Sequence, residues 1–241
     1  MHWESVFAPP ECFRNDEVTI PAEESRHLRA LRKKRGDEIW VIDGKGGAFR
    51  VRLLDTGQET MGKVMESRRL LGEPRARVTL APALIRGERF DWLIEKAVEL
   101  GVSRLLPVIT QRTERAAGPQ KWRRWQRIAL AAMKQSGRSV LPEIMDPRPF
   151  ERVILMGADC TLRLIAHDAG DTGWSAKTGS RNPAYRALAM VGPEGGFSEE
   201  EIAMAVEHGF RPVSLGPRRL RAETAALVII TRILRDWNEL G

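Results

Sequence analysis

The rhythm of apolar positions changes at Glu73–Pro74. Before that point, short apolar runs alternate with turn residues: VTIP, DEIWVID, the DGKGG turn from Asp43 to Gly47, and AFRVRLLD. Runs of this length bounded by Gly, Asp and Pro predict strands, hence a small β-rich domain over residues 1–73. After Pro74, strand-like runs (VTLAPALI, LLPVIT, CTLRLIA, ALAMVG, VSLG) alternate with helical spacing, which predicts an α/β domain with a parallel sheet over residues 74–241. In the helix predicted from about Glu88 to Leu100, Phe90, Leu93, Ile94, Ala97 and Val98 fall on one face and Gly101 supplies the stop, so those five are core residues. A second helix is predicted from about Gln120 to Gln135, where Trp122 and Trp125 share a face with Ala129, Ala132 and Met133 and read as core or interface. Ser198 followed by Glu201 is a capping box opening a helix from Glu199 to His208, and Gly209 is placed to end it.

Composition narrows the class. At 241 residues and 42% hydrophobic content, the chain can bury a sizeable core as one large or two small domains. No apolar run approaches the roughly 18 residues of a membrane helix, and MHWESVFAPPE lacks a basic-then-apolar signal pattern. A cytoplasmic protein with no membrane partner is expected. Cys12 and Cys160 lie far apart without a CxxC or His-rich companion, so they are read as buried thiols, and neither a disulfide framework nor a metal site is expected.

The formal charge of +7 points to a polyanionic partner, and its distribution says more. Arg112, Arg115, Lys121, Arg123, Arg124, Arg127, Lys134 and Arg138 face one acid, Glu114, so this window alone carries +7. A second cluster, RHLRALRKKR, contributes Arg26, Arg29, Arg32 and Lys33 among its basic residues and contains no acid. Either cluster alone fits a solvated face; two in different regions favour a nucleic-acid surface.

Two late segments put glycine-rich backbone beside charged side chains: VGPEGGFSEEEI (Val191–Ile202) and LGPRRLRAETAAL (Leu215–Leu227). Gly192, Gly195 and Gly196 can take backbone angles closed to other residues and leave room for a flat, nucleotide-like ligand against the main chain. The same segments resemble the signatures of the RsmE-type ribosomal RNA uridine-N3 methyltransferases, members of the SPOUT superfamily of knotted S-adenosylmethionine enzymes. DWLIEKAVELGVSRLLPVITQRTER, RRWQRIALAAMKQSGRSVLPEI and, more weakly, SRHLRALRKKRGDEIWVIDGKG agree with that family in the same order, so the resemblance covers almost the whole chain.

The resemblance implies a SPOUT-type parallel sheet with a C-terminal trefoil knot, where the apolar pattern alone would suggest an ordinary doubly wound sheet. It also implies a PUA-like β-barrel in front, a homodimer with active sites at the subunit interface, and a substrate in ribosomal RNA or the small ribosomal subunit. The implied activity is S-adenosylmethionine-dependent methylation of uridine N3 in 16S ribosomal RNA. The alternatives are another SPOUT methyltransferase with a different target base, or a non-catalytic RNA-binding protein. The second is the weaker, because GPEGG lacks the GK[ST] of a phosphate loop.

Carried onto this chain, the family's cofactor site falls on His167, Val191, Gly192, Glu194, Gly195, Gly196, Leu215, Gly216, Leu220, Arg221, Thr224 and Ala226. RNA contacts are expected from Arg26, Arg29, Arg32, Lys33, Arg112, Arg124 and Arg138. The uridine N3 position is a protonated imide, so transfer to it needs a base or a cation that stabilises the developing imidate. Arg221 is read as the charge stabiliser and Glu223 as site organiser or base. Other readings stay open: Glu194 as a loop fastener through backbone N–H groups, Glu223 as a helix-dipole partner, His167 as a structural histidine, and Lys96 with Glu99 as an exposed helix pair. Gln135, Ser136 and Arg138 leave RNA contact and knot support both open. MHWESVFAPPEC departs from the arginine and aromatic cluster expected at the family's N-terminus, and the stretch from Gly170 to Pro183 reads as a variable surface loop.

Overall fold

The computed structural model describes residues 5–113, 119–176 and 185–240, so Glu114, Arg115 and residues 177–183 of the expected surface loop lie outside them. Two compact units result. One takes the chain up to Glu73 together with Leu130–Leu141, the other Pro74–Ala129 and the chain from Pro142 onward.

The first unit is built on β1 (Ser5–Phe7), β2 (Phe13–Arg14), β3 (Glu17–Ile20), α1 (Ala22–Ala30), β4 (Glu38–Ile42), β5 (Gly47–Leu53) and β6 (Thr60–Arg69). Its six strands run in the order β1-β4-β5-β6-β3-β2, antiparallel except for β1 beside β4. Val18, Ile20, Ile39, Val41, Val51 and Leu53 form the core with Leu28 of α1. The Asp43–Gly47 turn joins β4 to β5 as expected, with Asp43 Oδ1 accepting the N–H groups of Lys45 and Gly47 at 2.7 and 2.8 Å. Helix α1 has no counterpart in the apolar pattern because Leu28 is its one large buried apolar side chain; Ser25 is buried as a connector, donating to the Ile20 carbonyl and accepting from the Thr60 N–H. Arg26, Arg29 and Arg32 are exposed on or just after this helix, and Lys33 is half-buried. Arg29 donates to the Gly57 carbonyl.

Arg138 corrects an expectation. Assigned to an RNA surface, it is 2% exposed. Its guanidinium grips Glu73 at 2.7 Å, and Glu73 also accepts the N–H groups of Ser139 and Val140 at 3.0 and 2.9 Å. The physical reason is that a buried carboxylate must be paired, and the segment after Gly137 brings Arg138 to it. Ser136 is likewise occupied, its hydroxyl donating back to the Ala132 carbonyl.

The second unit comprises β7 (Arg77–Pro82), α2 (Glu88–Glu99), β8 (Arg104–Leu105), β9 (Val108–Ile109), α3 (Pro119–Ser136, which ends in the first unit), β10 (Glu143–Ile144), β11 (Arg148–Pro149), α4 (Phe150–Leu155), β12 (Leu162–Asp171), β13 (Arg186–Val191), α5 (Glu199–Glu207), β14 (Arg211–Val213) and α6 (Ala222–Asp236). A parallel sheet runs β10-β8-β7-β13-β12-β14. LLPVIT, expected as one strand, divides at Pro107: β8 joins this sheet and β9 pairs with β11. Proline has no N–H for a continuous ladder. On α2, Phe90, Leu93, Ile94, Ala97 and Val98 are all buried, and Gly101 follows with φ +100°. The Ser198–Glu201 capping box opens α5 as expected, and Glu201 also accepts the Gln111 N–H at 2.9 Å.

The expected surface loop is anchored at its start. β12 runs on to Asp171, whose carboxyl is held below its ordinary range by Arg211 and the Gly173 N–H. Trp174 is 2% exposed; its indole N–H donates to the Ser214 carbonyl, and the Arg232 guanidinium lies 4.0 Å from the ring centre. Polar neighbours hide this tryptophan in the sequence. No helix among the described residues is long and apolar enough to cross a membrane.

Removing one partner of a buried ion pair costs about 3–5 kcal/mol. Arg138→Met should therefore lower the midpoint of urea unfolding by that equivalent at unchanged slope, whereas Arg32→Met leaves it near wild type. Equal midpoints for the two variants would show that the Glu73 pair carries no stability.

Candidate functional site

In open parallel sheets, ligands collect outside the carboxyl ends of the strands, where side chains from different crossovers meet. Here β13 and β14 flank β12, so the segments that follow them converge. The β12–β14 ladder is irregular between Ala166 and Asp171, which takes His167 and Asp168 out of regular pairing. Ala166–Asp168, Val191–Gly196, Leu215, Gly216, Arg218–Ala222 and Ala225 then line a pocket of about 360 Å³, here termed the glycine pocket. Gly196 has φ +71° and Gly216 φ +131°, and a Cβ built on either would meet nothing within 4 Å. The first angle is rare for L side chains and the second nearly closed to them.

The loop from Pro193 to Phe197 is tied down by guanidinium groups. Arg112 Nη1 donates to the Gly195 carbonyl at 2.5 Å and to that of Phe197 at 3.3 Å, and Arg219 Nη2 donates to the Glu194 carbonyl at 2.8 Å. The Glu194 carboxylate meets Arg89 Nη2 at 2.5 Å, so a guanidinium takes the place expected of backbone N–H groups. The other arm of Arg89 lies 3.9 Å from Glu223 Oε2, beyond hydrogen-bond reach. Glu223 is 7% exposed at the second position of α6, and that oxygen has no hydrogen-bond partner among the described residues. A buried carboxylate oxygen left without a hydrogen bond is uncommon in folded proteins.

A second, larger pocket of about 940 Å³ lies against the same loop. Pro193, Glu194 and Gly195 line both pockets. Arg86, Arg89, Arg112, Lys121 and Arg124 face Glu88, Asp91 and Glu194 around it, over apolar side chains that include Leu84, Ile85, Phe90 and Trp125. Asp91 organises one side: it accepts the Trp125 indole N–H at 3.1 Å and pairs with Arg124 at 2.6 Å. This is termed the arginine pocket.

The structure thus brings His167, Val191, Gly192, Glu194, Gly195, Gly196, Leu215, Gly216, Leu220 and Arg221 onto one wall. Thr224 and Ala226 are not on it. Helical phase points Ala222 and Ala225 inward, three residues apart, while Thr224 is exposed and Ala226 fully buried. Lys96 bonds Glu95 and Glu99 of its own helix at 2.7 Å each and lines neither pocket. Sequence reasoning missed Arg86, Arg89 and Asp91 as site residues, and also Arg219. The available signal was RGERF, where a charged run straddles Gly87, the residue before α2, with φ +69°. Among the described residues, no group of three His, Cys, Asp or Glu could hold a metal ion.

Comparison with known proteins agrees with this architecture. Residues 72–234 match the RNA methyltransferase domain family, and residues 20–60 match the RNA methyltransferase PUA domain. The ribosomal RNA small subunit methyltransferase E of Synechocystis is 34% identical over 97% of this chain and 77% of its own length. The crystal structure of the enzyme of that name from Neisseria gonorrhoeae, bound to S-adenosylmethionine, is 31% identical and covers 97% of this chain and 98% of its own, with a TM-score of 0.83. A methyltransferase from Legionella pneumophila, solved with bound S-adenosylmethionine, is 27% identical over 98% of both chains, with a TM-score of 0.84. With its parallel sheet, glycine-rich pocket and matches along nearly its whole length, the chain belongs to the family of the ribosomal RNA small subunit methyltransferases E.

Proposed function

We propose that this chain methylates N3 of a uridine in 16S ribosomal RNA, drawing the methyl group from S-adenosylmethionine held in the glycine pocket. The observation that carries the reading is a pocket walled by backbone and small side chains at converging strand ends, in a chain whose relatives are solved with that cofactor. The residues present fit the cofactor. About 360 Å³ lies within the usual range of small-molecule sites, about 300–1,000 Å³, and Gly196 and Gly216 leave open the space a Cβ would fill. Val191, Leu215, Leu220, Ala222 and Ala225 offer apolar contact for a nucleoside, and exposed loop backbone offers hydrogen bonds to its edge.

When bound, S-adenosylmethionine supplies a methyl group activated by a sulfonium cation, so the protein need not provide a nucleophile. What remains for the chain is alignment, exclusion of water and management of the N3 proton. Arg221 stands on the glycine-pocket wall just before α6, where its guanidinium offsets negative charge gathering on the uracil oxygens. Glu223, two residues on, orders the site or takes the N3 proton through Oε2, which has no hydrogen-bond partner among the described residues. Glu194, anchored on Arg89, keeps the shared loop in register with both.

The substrate is ribosomal RNA, naked or in the small subunit. The domain boundary falls at Glu73–Pro74, with Leu130–Leu141 joining the first unit; the first domain is a PUA-like barrel that docks RNA through Arg26, Arg29, Arg32 and Lys33, and the second uses Arg112 and Arg124. The family resemblance supports a trefoil knot at the C-terminus, where α6 packs on α2, β7 and β13. The family resemblance supports a homodimer in the cytoplasm, and Trp92, 44% exposed on α2, is a large aromatic suited to a subunit contact.

Gly196→Val should abolish S-adenosylmethionine binding in a protein that still unfolds cooperatively, since φ +71° is strained for a β-branched residue. Unchanged affinity in equilibrium binding would remove the cofactor from this pocket. In single-turnover methylation with cofactor and RNA saturating, Arg221→Ala and Glu223→Gln should each slow transfer on the order of 10²–10³-fold. Rates near wild type in both would move the chemistry elsewhere. Reversing charge with Arg32→Glu and Lys33→Glu should weaken RNA binding, spare cofactor binding, and lower the log–log salt slope by about 0.7–0.9 for each phosphate no longer neutralised; an unaltered slope excludes the first unit from RNA docking.

A further inference from the structure

Methyl transfer needs donor and acceptor atoms held about 3–3.5 Å apart. An acceptor site must therefore share a wall with the donor site. Among the described residues, a short stretch of chain meets that condition: Pro193, Glu194 and Gly195 line both the glycine and the arginine pocket. We infer that the arginine pocket receives the acceptor nucleotide, extruded from the RNA, with its base on Leu84, Ile85 and Trp125 and its phosphates on Arg86, Lys121 and Arg124. The inference rests on the methyl transfer proposed above and assigns the subsite that reading leaves open.

Three observations select a nucleotide as the occupant. First, the chemistry is divided as a nucleotide is divided. Leu84 and Ile85 are 8% exposed and Trp125 is 3% exposed, forming an apolar floor, while the cations come from three separate segments: the approach to α2 with its first turn, the stretch after β9, and α3. An acidic peptide would satisfy the cations and leave the floor without a flat partner. Second, size fits. A cavity of about 940 Å³ is larger than the glycine pocket and admits a base with its flanking phosphates. Third, access fits. A base that stays stacked cannot enter a recess, and enzymes acting on base atoms take the target out of the stack at a cost of a few kcal/mol; phosphate contacts at the rim can offset that cost. Asp91 holds the floor and rim together, since it bonds both the Trp125 indole and Arg124. Extrusion onto this floor brings the base edge towards the stretch Pro193–Gly195, which also walls the cofactor pocket.

The test uses the full chain in four forms: wild type, Lys121→Glu on the rim, Ile85→Trp in the floor, and Arg152→Glu on α4, which is exposed and off the pocket wall. S-adenosylmethionine affinity, half-saturating RNA concentration and single-turnover rate are measured for each. Lys121→Glu should raise the half-saturating RNA concentration several-fold and lower the salt slope by about 0.7–0.9, the value for one phosphate left without its cation, with cofactor affinity unchanged. Ile85→Trp should cut the rate at saturating RNA while cofactor affinity stays at the wild-type value. Arg152→Glu, an equal charge change, should alter neither. If Lys121→Glu and Arg152→Glu behave alike, RNA responds to overall charge and the pocket assignment falls, whatever becomes of Ile85→Trp. Wild type that binds the cofactor yet methylates no RNA would instead overturn the proposed function, and the inference with it.

Discussion

Everything at the site depends on holding the irregular loop from Pro193 to Phe197. Ordering each backbone residue costs about 1–2 kcal/mol, and glycine loses more freedom than any other residue. Gly195 and Gly196 bring no side chain whose burial could offset that cost. Guanidinium groups supply the compensation: Arg112 and Arg219 bond loop carbonyls, and Arg89 bonds the Glu194 carboxylate. Bonds from a charged donor are about twice as strong as neutral ones. Each arginine comes from a different part of the chain, so the loop is ordered only once the sheet has brought those parts together.

That dependence gives the two pockets a common fate. The loop is the wall between them, and a displacement on one side is felt on the other. Arg89 stands at the seam, with one arm on Glu194 and the other short of the buried Glu223. A carboxylate kept from water without a hydrogen bond on one oxygen is a cost to the folded state. The helix dipole at the start of α6 also favours a carboxylate at Glu223.

The chain's excess of positive charge divides among unlike tasks. Arg138 is a buried partner of Glu73; Arg112 and Arg219 hold loop backbone; Lys121 and Arg124 stand on a pocket rim; Arg26 and Arg32 face solvent. Arginine dominates the structural tasks because its planar fork can present several N–H groups at once, as Arg138 does to Glu73 through Nε and Nη2, whereas lysine is a compact point charge. A count of basic residues along the sequence therefore overstates the surface offered to RNA.

Local spacing alone determined the features whose causes are local. The apolar stripe of α2, its glycine stop, the α5 capping box and the Asp43–Gly47 turn were all legible, because periodicity, capping and turn chemistry act within a few residues. The glycine segments were legible as open, small-residue backbone, and the structure places them on a pocket wall. Helix α1 was not, since it buries little beyond Leu28, and the burial of Trp174 was not, since its partners Ser214 and Arg232 lie far along the chain. Nor could spacing show that Arg138 points inward to Glu73, or which residues of α6 face the pocket. Only the tertiary structure decided that Arg89, Arg112 and Arg219 converge on one loop, and that Arg89 also approaches Glu223. The order of a parallel sheet brings those segments together through long crossovers, and no local pattern records that order.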